Sequence, residues 1–253
     1  MARGICPSQL PVVGQIECAT NGDFFGDWSD LSGKRILCIG FSENEIDQYV
    51  ARHAPAQIIS LTYWDDHIDA AQGKHPIVMG DITRRTKFED GEFDAVLTLS
   101  VLEHVSNISS ALSEMQRIIR TGGEMLHMFG PAWSCAYGHH LYADPDDKNL
   151  NFVQWSMPAH MHLLCSQGDI LNYYRTLGYE DGIGEMVWHW FHEAPHINRM
   201  NYDAYSDAIS KFNLVRMEAM YNFLPEEHLE LLRNRVKGCF DFSTYGGRYK
   251  IIL

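Results

Sequence analysis

The chain has no run of apolar residues approaching the ~20 that a membrane-spanning helix requires. Its opening, MARGICPSQLPVVGQIEC, has no continuous apolar segment suited to a signal peptide. Basic residues are scarce: 20 Lys and Arg stand against 33 Asp and Glu, for a formal charge of -13. Proteins that grip a phosphate backbone use clustered Lys and Arg, so this balance argues against a nucleic-acid partner. The short stretches RIIR and KHPIV do not reverse it. Paired cysteines are also missing. Cys6, Cys18, Cys38, Cys135, Cys165 and Cys239 are scattered without a CxxC pair, which fits reduced thiols and a cytoplasmic location better than a disulfide framework. Neither HExxH nor a paired Cys/His ligand pattern occurs, so no metal site is assigned. Internal repeats and low-complexity linkers are absent as well.

What remains is ordinary for a globular enzyme: 253 residues, 45% hydrophobic and 21% charged. Residues 1–32 are rich in Gly, Pro and Asp and read as an arm. From Gly33 an alternating rhythm begins. KRILCIG is a short apolar run suited to a buried parallel strand, and Ile46, Tyr49, Val50 and His53 then recur at helical spacing. AQIISLT predicts a second strand, DDHIDAAQ a helix, HPIVMGD a third strand and FDAVLTLS a fourth. In VSNISSALSEMQRIIRTGG, residues Val105, Ile108, Leu112, Met115 and Ile119 share one face. Ser106 or Asn107 can cap the start of this helix and Gly122 can end it. EMLHMFG is a fifth strand. Such alternation implies an α/β fold, a doubly wound and mostly parallel sheet whose ligands bind beyond the carboxyl ends of the strands.

The segment GDITRRTKFEDGEFDAVLTLSVLEHVSNISSALSEMQRIIRTGGEML resembles the core of the class I S-adenosylmethionine-dependent methyltransferases. Gly80-Asp81, Phe93-Asp94, Leu102-Glu103-His104-Val105 and the run from Arg117 to Gly123 match that family's motifs in order and spacing. Arg120-Thr121 replaces the commoner Lys-Pro. The resemblance spans roughly residues 33–130. It implies a Rossmann-like fold with a seven-stranded sheet, S-adenosyl-L-methionine as cofactor, and a substrate cap inserted after strand five. The implied layout is an arm over 1–32, a cofactor-binding core over 33–130, a cap over 131–225, and a C-terminal helix and closing strand of the core over 226–253.

The resemblance also implies site residues. Gly40, Phe41 and Ser42 form the first loop, in which Cys38, Ser42 and Asn44 stand where the family carries an acidic residue and two glycines. Thr62 and Tyr63 end strand two, where the family holds the ribose with a carboxylate. Two readings stand for Asp65: it takes that part from the next turn, or with Asp66 it merely caps a helix. Asp81 and Ile82 are placed at the adenine, and Ser100 and Val101 at the cofactor's amino group. Asp94 reads as structural. His104 is either a pocket-lining residue or a base.

Beyond strand five, residues 131–168 are irregular and crowded with His, Trp and Tyr. PAWSCAYGHHLY and MPAHMHLL bear a weaker likeness to bacterial methyltransferases with Gly-x-His-Leu and a later Pro-Trp-x-His-Leu-Leu, with Ala159 in place of Trp. SQGDILNYYRTLGY predicts a helix, residues 199–235 two further helices, and GGRYKIIL a closing strand. Among His139, His140, His160, His162, His189, His192 and His196, a general base, a metal ligand and a satisfied structural role all remain open. The adjacent pair His139 and His140, read as extended, is the first choice for the base. The expected activity is methylation of a small, partly apolar molecule, at oxygen before nitrogen or carbon. The alternatives are a degenerate ligand- or partner-binding protein and a metal-assisted enzyme reusing the cofactor pocket. Oligomeric state, including a homodimer, is left open.

Overall fold

Seven strands build the sheet of the computed structural model, which describes residues 5–14, 25, 28–41, 43–63, 75–238 and 241–253. They are β1 (Arg35–Ile39), β2 (Gln57–Thr62), β3 (Ile77–Met79), β4 (Phe93–Leu99), β5 (Ile119–Phe129), β6 (Leu214–Tyr221) and β7 (Thr244–Ile252). Their order is β3-β2-β1-β4-β5-β7-β6. β1 lies parallel between β2 and β4, β3 extends the β2 side, β5 extends the β4 side, and β7 runs antiparallel to β5. The chain thus starts at the centre, winds outward, returns past β1 and winds the other way. β1, β2 and β4 are almost wholly buried, so they carry continuous Ile, Leu and Val rather than an alternating pattern.

Among the described residues two helices flank this winding: α1 (Glu43–His53) after β1 and α2 (Ile108–Ile118) after β4. The Asn107 side chain caps α2 by accepting from Ser110 N at 3.0 Å, and Ile108, Ala111, Leu112, Met115 and Ile118 form its buried face. The helix ends earlier than Gly122, because β5 begins at once with Ile119. The backbone at Gly122 instead turns with φ 77° inside that strand, and its N–H donates to Leu253 O. The helix expected over DDHIDAAQ lies outside the described residues.

The chain divides into two compact units. The sheet unit comprises residues 18–129, 206–218 and 247–253. One of its cores joins Phe25, Trp28 and Leu31 to Ile36, Cys38, Leu97 and Leu126. The other unit comprises residues 1–17, 130–205 and 219–246. It contains α3 (Met161–Leu164), α4 (Gln167–Thr176), α5 (Asp181–His192) and α7 (Glu226–Arg235). Its core includes Leu10 and Val13 from the arm, Tyr137, Met161, Tyr174 and Phe191. The Tyr137 hydroxyl donates to Val13 O at 2.8 Å or to Met157 O at 3.1 Å, and it accepts from Val13 N at 3.2 Å.

The expectation of two helices over 199–235 needs correction. α6 (Tyr202–Ile209) and α7 are there, but β6 lies between them. Residues 214–221 alternate, so Val215 and Met217 lie on one face while Arg216 and Glu218 lie on the other. Arg216 stands over the Trp28 ring at 4.4 Å, and Glu218 pairs with Arg248. Among the described residues no helix is long and apolar enough to cross a membrane.

Candidate functional site

In the sheet unit, register brings four strand ends to one edge. Ile39 is level with Leu61 and Thr98, and Thr62 is level with Met79. The residues just past this row are Gly40 and Phe41, Tyr63, Gly80 through Ile82, and Ser100 with Val101. Thr62 closes β2 in the same row. The register therefore brings Gly40, Phe41, Thr62, Tyr63, Asp81, Ile82, Ser100 and Val101 to one edge, while Ser42 and Asp65 lie outside the described residues. Gly40 is the tightest point. It has φ 81°, and a Cβ there would lie 2.3 Å from both Leu99 O and Val101 Cγ2. Only glycine lets the first loop pass so close to the end of β4. Ser100 also has a positive φ, 50°, and its N–H donates to Met128 O at 2.9 Å.

Cys38, which stands where the resembling family has a carboxylate, is buried in the core with Ile36 and Leu97. Burial, with Glu45 nearby, pushes its thiol far above the ordinary range, so it stays protonated and uncharged. Asp81 is half-buried. Its Oδ1 accepts from Thr83 N at 2.9 Å and Thr83 Oγ1 at 2.6 Å, and Arg84 approaches Oδ2 at 3.4 Å. One oxygen thus shapes the turn while the other faces the exposed Arg84 side chain. Asp94 is structural: Arg35 N, and then Arg120, donate to it and hold its carboxyl below the usual range. His104 is exposed on the short turn Leu102–His104.

The other unit holds a cluster of buried imidazoles. His139 and His140 do not occupy an extended segment. Residues 131–140 form successive turns and His140 has φ 48°, so the alternation expected of a strand does not apply. His139 Nδ1 accepts from Leu141 N at 3.0 Å, which leaves the proton of the neutral ring on Nε2. His140 has the opposite tautomer, since its Nδ1–H donates to Gly138 O at 2.9 Å. His162 resembles His140 with the nitrogens exchanged: Nε2–H donates to Trp133 O at 2.7 Å. His160 Nδ1 is 3.1 Å from His228 Nε2, and its Nε2 is 3.3 Å from Phe242 O. Burial, then the neighbouring imidazoles, lowers the pKa of His139, His160 and His162 well below the ordinary value, so all three are neutral near pH 7.

His162 was one member of the sequence cluster and not a first choice. The signal that singles it out, a Trp133 carbonyl beside Nε2, comes from a turn and is not written in residue spacing.

Residues 37–127 match the family described as methyltransferase domain. A ubiquinone biosynthesis O-methyltransferase of Dechloromonas aromatica is 30% identical over 111 residues, which cover 39% of this chain and 47% of the relative. A fatty-acid O-methyltransferase of Mycolicibacterium smegmatis is 31% identical over 105 residues, covering 39% and 38%. The matched stretch thus spans less than half of these curated relatives. Among solved structures, an S-adenosylmethionine-dependent methyltransferase from Mesorhizobium loti superposes with a TM-score of 0.51 at 10% identity, covering 88% of this chain and 92% of that one. This likeness is one of fold.

Proposed function

The chain carries a class I S-adenosylmethionine-dependent methyltransferase domain, and on that premise we propose that it methylates a small, partly apolar molecule, at oxygen in the first instance. The observation that carries this reading is the single edge on which Gly40, Thr62, Asp81 and Ser100 converge, with a glycine obligatory at its tightest point. The residues present fit the cofactor. Gly40 and Ser100 offer backbone at close approach, the Thr62 hydroxyl can pair with a ribose hydroxyl, and Asp81 Oδ2 can accept from an exocyclic amine. When bound, the cofactor supplies an already activated methyl group on a sulfonium.

This chain's own contribution is then binding, orientation and handling of a proton. A hydroxyl loses its proton as its oxygen takes the methyl group, so a neutral imidazole suffices as base. Of the adjacent pair, His140 presents a lone pair on Nε2, whereas His139 presents an N–H. The base is therefore assigned to His140. The two O-methyltransferases among the relatives support oxygen as the acceptor atom. A cytoplasmic, soluble enzyme with no nucleic-acid partner fits the acidic composition.

Isothermal titration with S-adenosylmethionine and S-adenosylhomocysteine tests the cofactor reading. Micromolar or tighter binding of both is expected. Failure of both to bind a folded protein would favour a degenerate ligand-binding role.

A further inference from the structure

His139 and His162 are the buried groups whose chemistry is least accounted for. His139 is fully buried and His162 nearly so. His139 Nε2 and His162 Nδ1 have no hydrogen-bond partner among the described residues. A buried polar atom without a partner is costly, so a group that hydrogen-bonds to it there gains more than it would in water. The two rings are 5.2 Å apart, centroid to centroid, at 72°. No hydrogen bond joins them.

The tautomers make these two atoms complementary. Leu141 N donates to His139 Nδ1, so His139 Nε2 carries a proton and is a donor. His162 Nε2 donates to Trp133 O, so His162 Nδ1 carries a lone pair and is an acceptor. One unused donor and one unused acceptor stand on neighbouring rings. A hydroxyl answers both at once: its oxygen accepts from His139 while its O–H donates to His162. An ether, a methyl group or a carboxylate cannot do both.

The walls are aromatic. Phe191 lies 4.5 Å from His139 and 6.1 Å from His162, and the Trp133 ring lies 4.4 Å from His162. Trp133 is the partly exposed member. Its ring faces the Arg199 guanidinium at 5.7 Å, while that guanidinium is held by Phe191 O and Ala194 O at the end of α5.

We propose that His139 and His162 form a binding site for a single hydroxyl group carried on an aromatic ring, with Phe191 and Trp133 as its walls. That this hydroxyl belongs to the methyl acceptor, as a binding group apart from the oxygen that His140 deprotonates, rests on the function proposed above; the site itself does not. The pair would thereby select phenolic molecules over analogues lacking the hydroxyl, since a site built to hydrogen-bond a hydroxyl leaves buried groups unpaired when it is missing.

The test uses the whole chain with para-nitrophenol, buffered below the pKa of that phenol so that its O–H is retained and followed by its absorbance, and para-nitrotoluene as the analogue without the hydroxyl. Wild-type protein is expected to bind the phenol saturably and the toluene at least ~10-fold more weakly. His139→Phe and His162→Phe, which keep the ring walls, should each bring that preference close to unity, while His228→Gln should leave it unchanged. Equal binding of the two probes to wild-type protein, or no binding of either, overturns the proposal even where a variant fails to fold. So does an undiminished preference in both Phe variants. Stoichiometric Zn(II) uptake that those variants abolish would make the pair a metal site and also overturn it. S-adenosylhomocysteine is titrated in parallel: phenol preference without cofactor binding upholds the pair and defeats the methyltransferase reading, and the reverse result does the opposite.

Discussion

At the scale of single residues, Gly40 and Asp81 carry the sharpest expectations. Gly40→Ala would place a Cβ 2.3 Å from a backbone oxygen at φ 81°. The left-handed conformation alone costs about 1–2 kcal/mol for a residue with a Cβ, and the overlap adds to it. A lowered Tm with S-adenosylhomocysteine affinity reduced more than ~10-fold is expected; a variant binding as wild type would remove the first loop from the site. For Asp81, alanine would also destroy the turn that Thr83 makes with Oδ1. Asp81→Asn keeps that acceptor and converts only Oδ2 into a donor. Cofactor affinity should fall by about one decade while Tm stays nearly constant, the loss of one charge-assisted hydrogen bond. Calorimetry beside thermal melting separates the two effects. Gly40 could be read in the sequence because one glycine after an apolar run has few other uses. The His162 tautomer could not, because its partner is the carbonyl of a residue 29 positions away.

Among elements, α2 shows how the fold secures the loop that precedes β4. Its buried Glu114 accepts from Thr86 N and Thr86 Oγ1, both at 2.7 Å, and from Arg117 at 2.6 and 2.8 Å. Burial works to raise its pKa, but the hydrogen bonds from Arg117 and Thr86 outweigh it and hold it at about 2. The carboxylate therefore stabilises the fold fully above pH ~4.5, its unfolded value, and progressively less as pH falls toward 2. Glu114→Gln should cost roughly 1–3 kcal/mol at pH 7. The gap from wild type should close between pH 4.5 and 2, as chemical denaturation at several pH values would reveal; a constant gap would contradict the charge's role. The face of α2 was plain in the sequence, since Ile108, Leu112 and Met115 recur at helical spacing and are buried. The nature of β6 was hidden. Its alternate apolar residues point outward, with Val215 46% and Met217 51% exposed, so the strand carries no inward hydrophobic period to read.

For the whole molecule, the dominant electrostatic fact is the number of imidazoles that must stay neutral. Burial lowers His127 to about 4, and it lowers His139, His160, His162, His192 and His228 as well. In the unfolded chain each takes up a proton near pH 6.5. Below that pH the unfolded state binds more protons than the folded one, so stability falls as pH drops. The decline begins near 6.5, and for His127 it levels off below about 4. Each fully buried imidazole contributes on the order of 2 kcal/mol of loss by pH 5. Urea midpoints measured between pH 8 and 5 should fall steeply below 6.5; a flat profile would show that the cluster is already protonated or solvated. The sequence announced the abundance of histidine, and the acid sensitivity follows only once burial is known.

The interleaving of the two units has a kinetic consequence. Each is assembled from three separate stretches of chain, so neither can be excised as a continuous fragment. Tyr137 must find Val13 across 124 residues, and Lys250 reaches the carbonyl of Trp28 across 222. Closing loops of that length comes before any contact can reward it, which makes refolding slow and leaves β5 without its antiparallel neighbour until β7 arrives. During synthesis on the ribosome, β1 to β5 emerge well before that neighbour, so the growing sheet presents an open flank through most of its own translation.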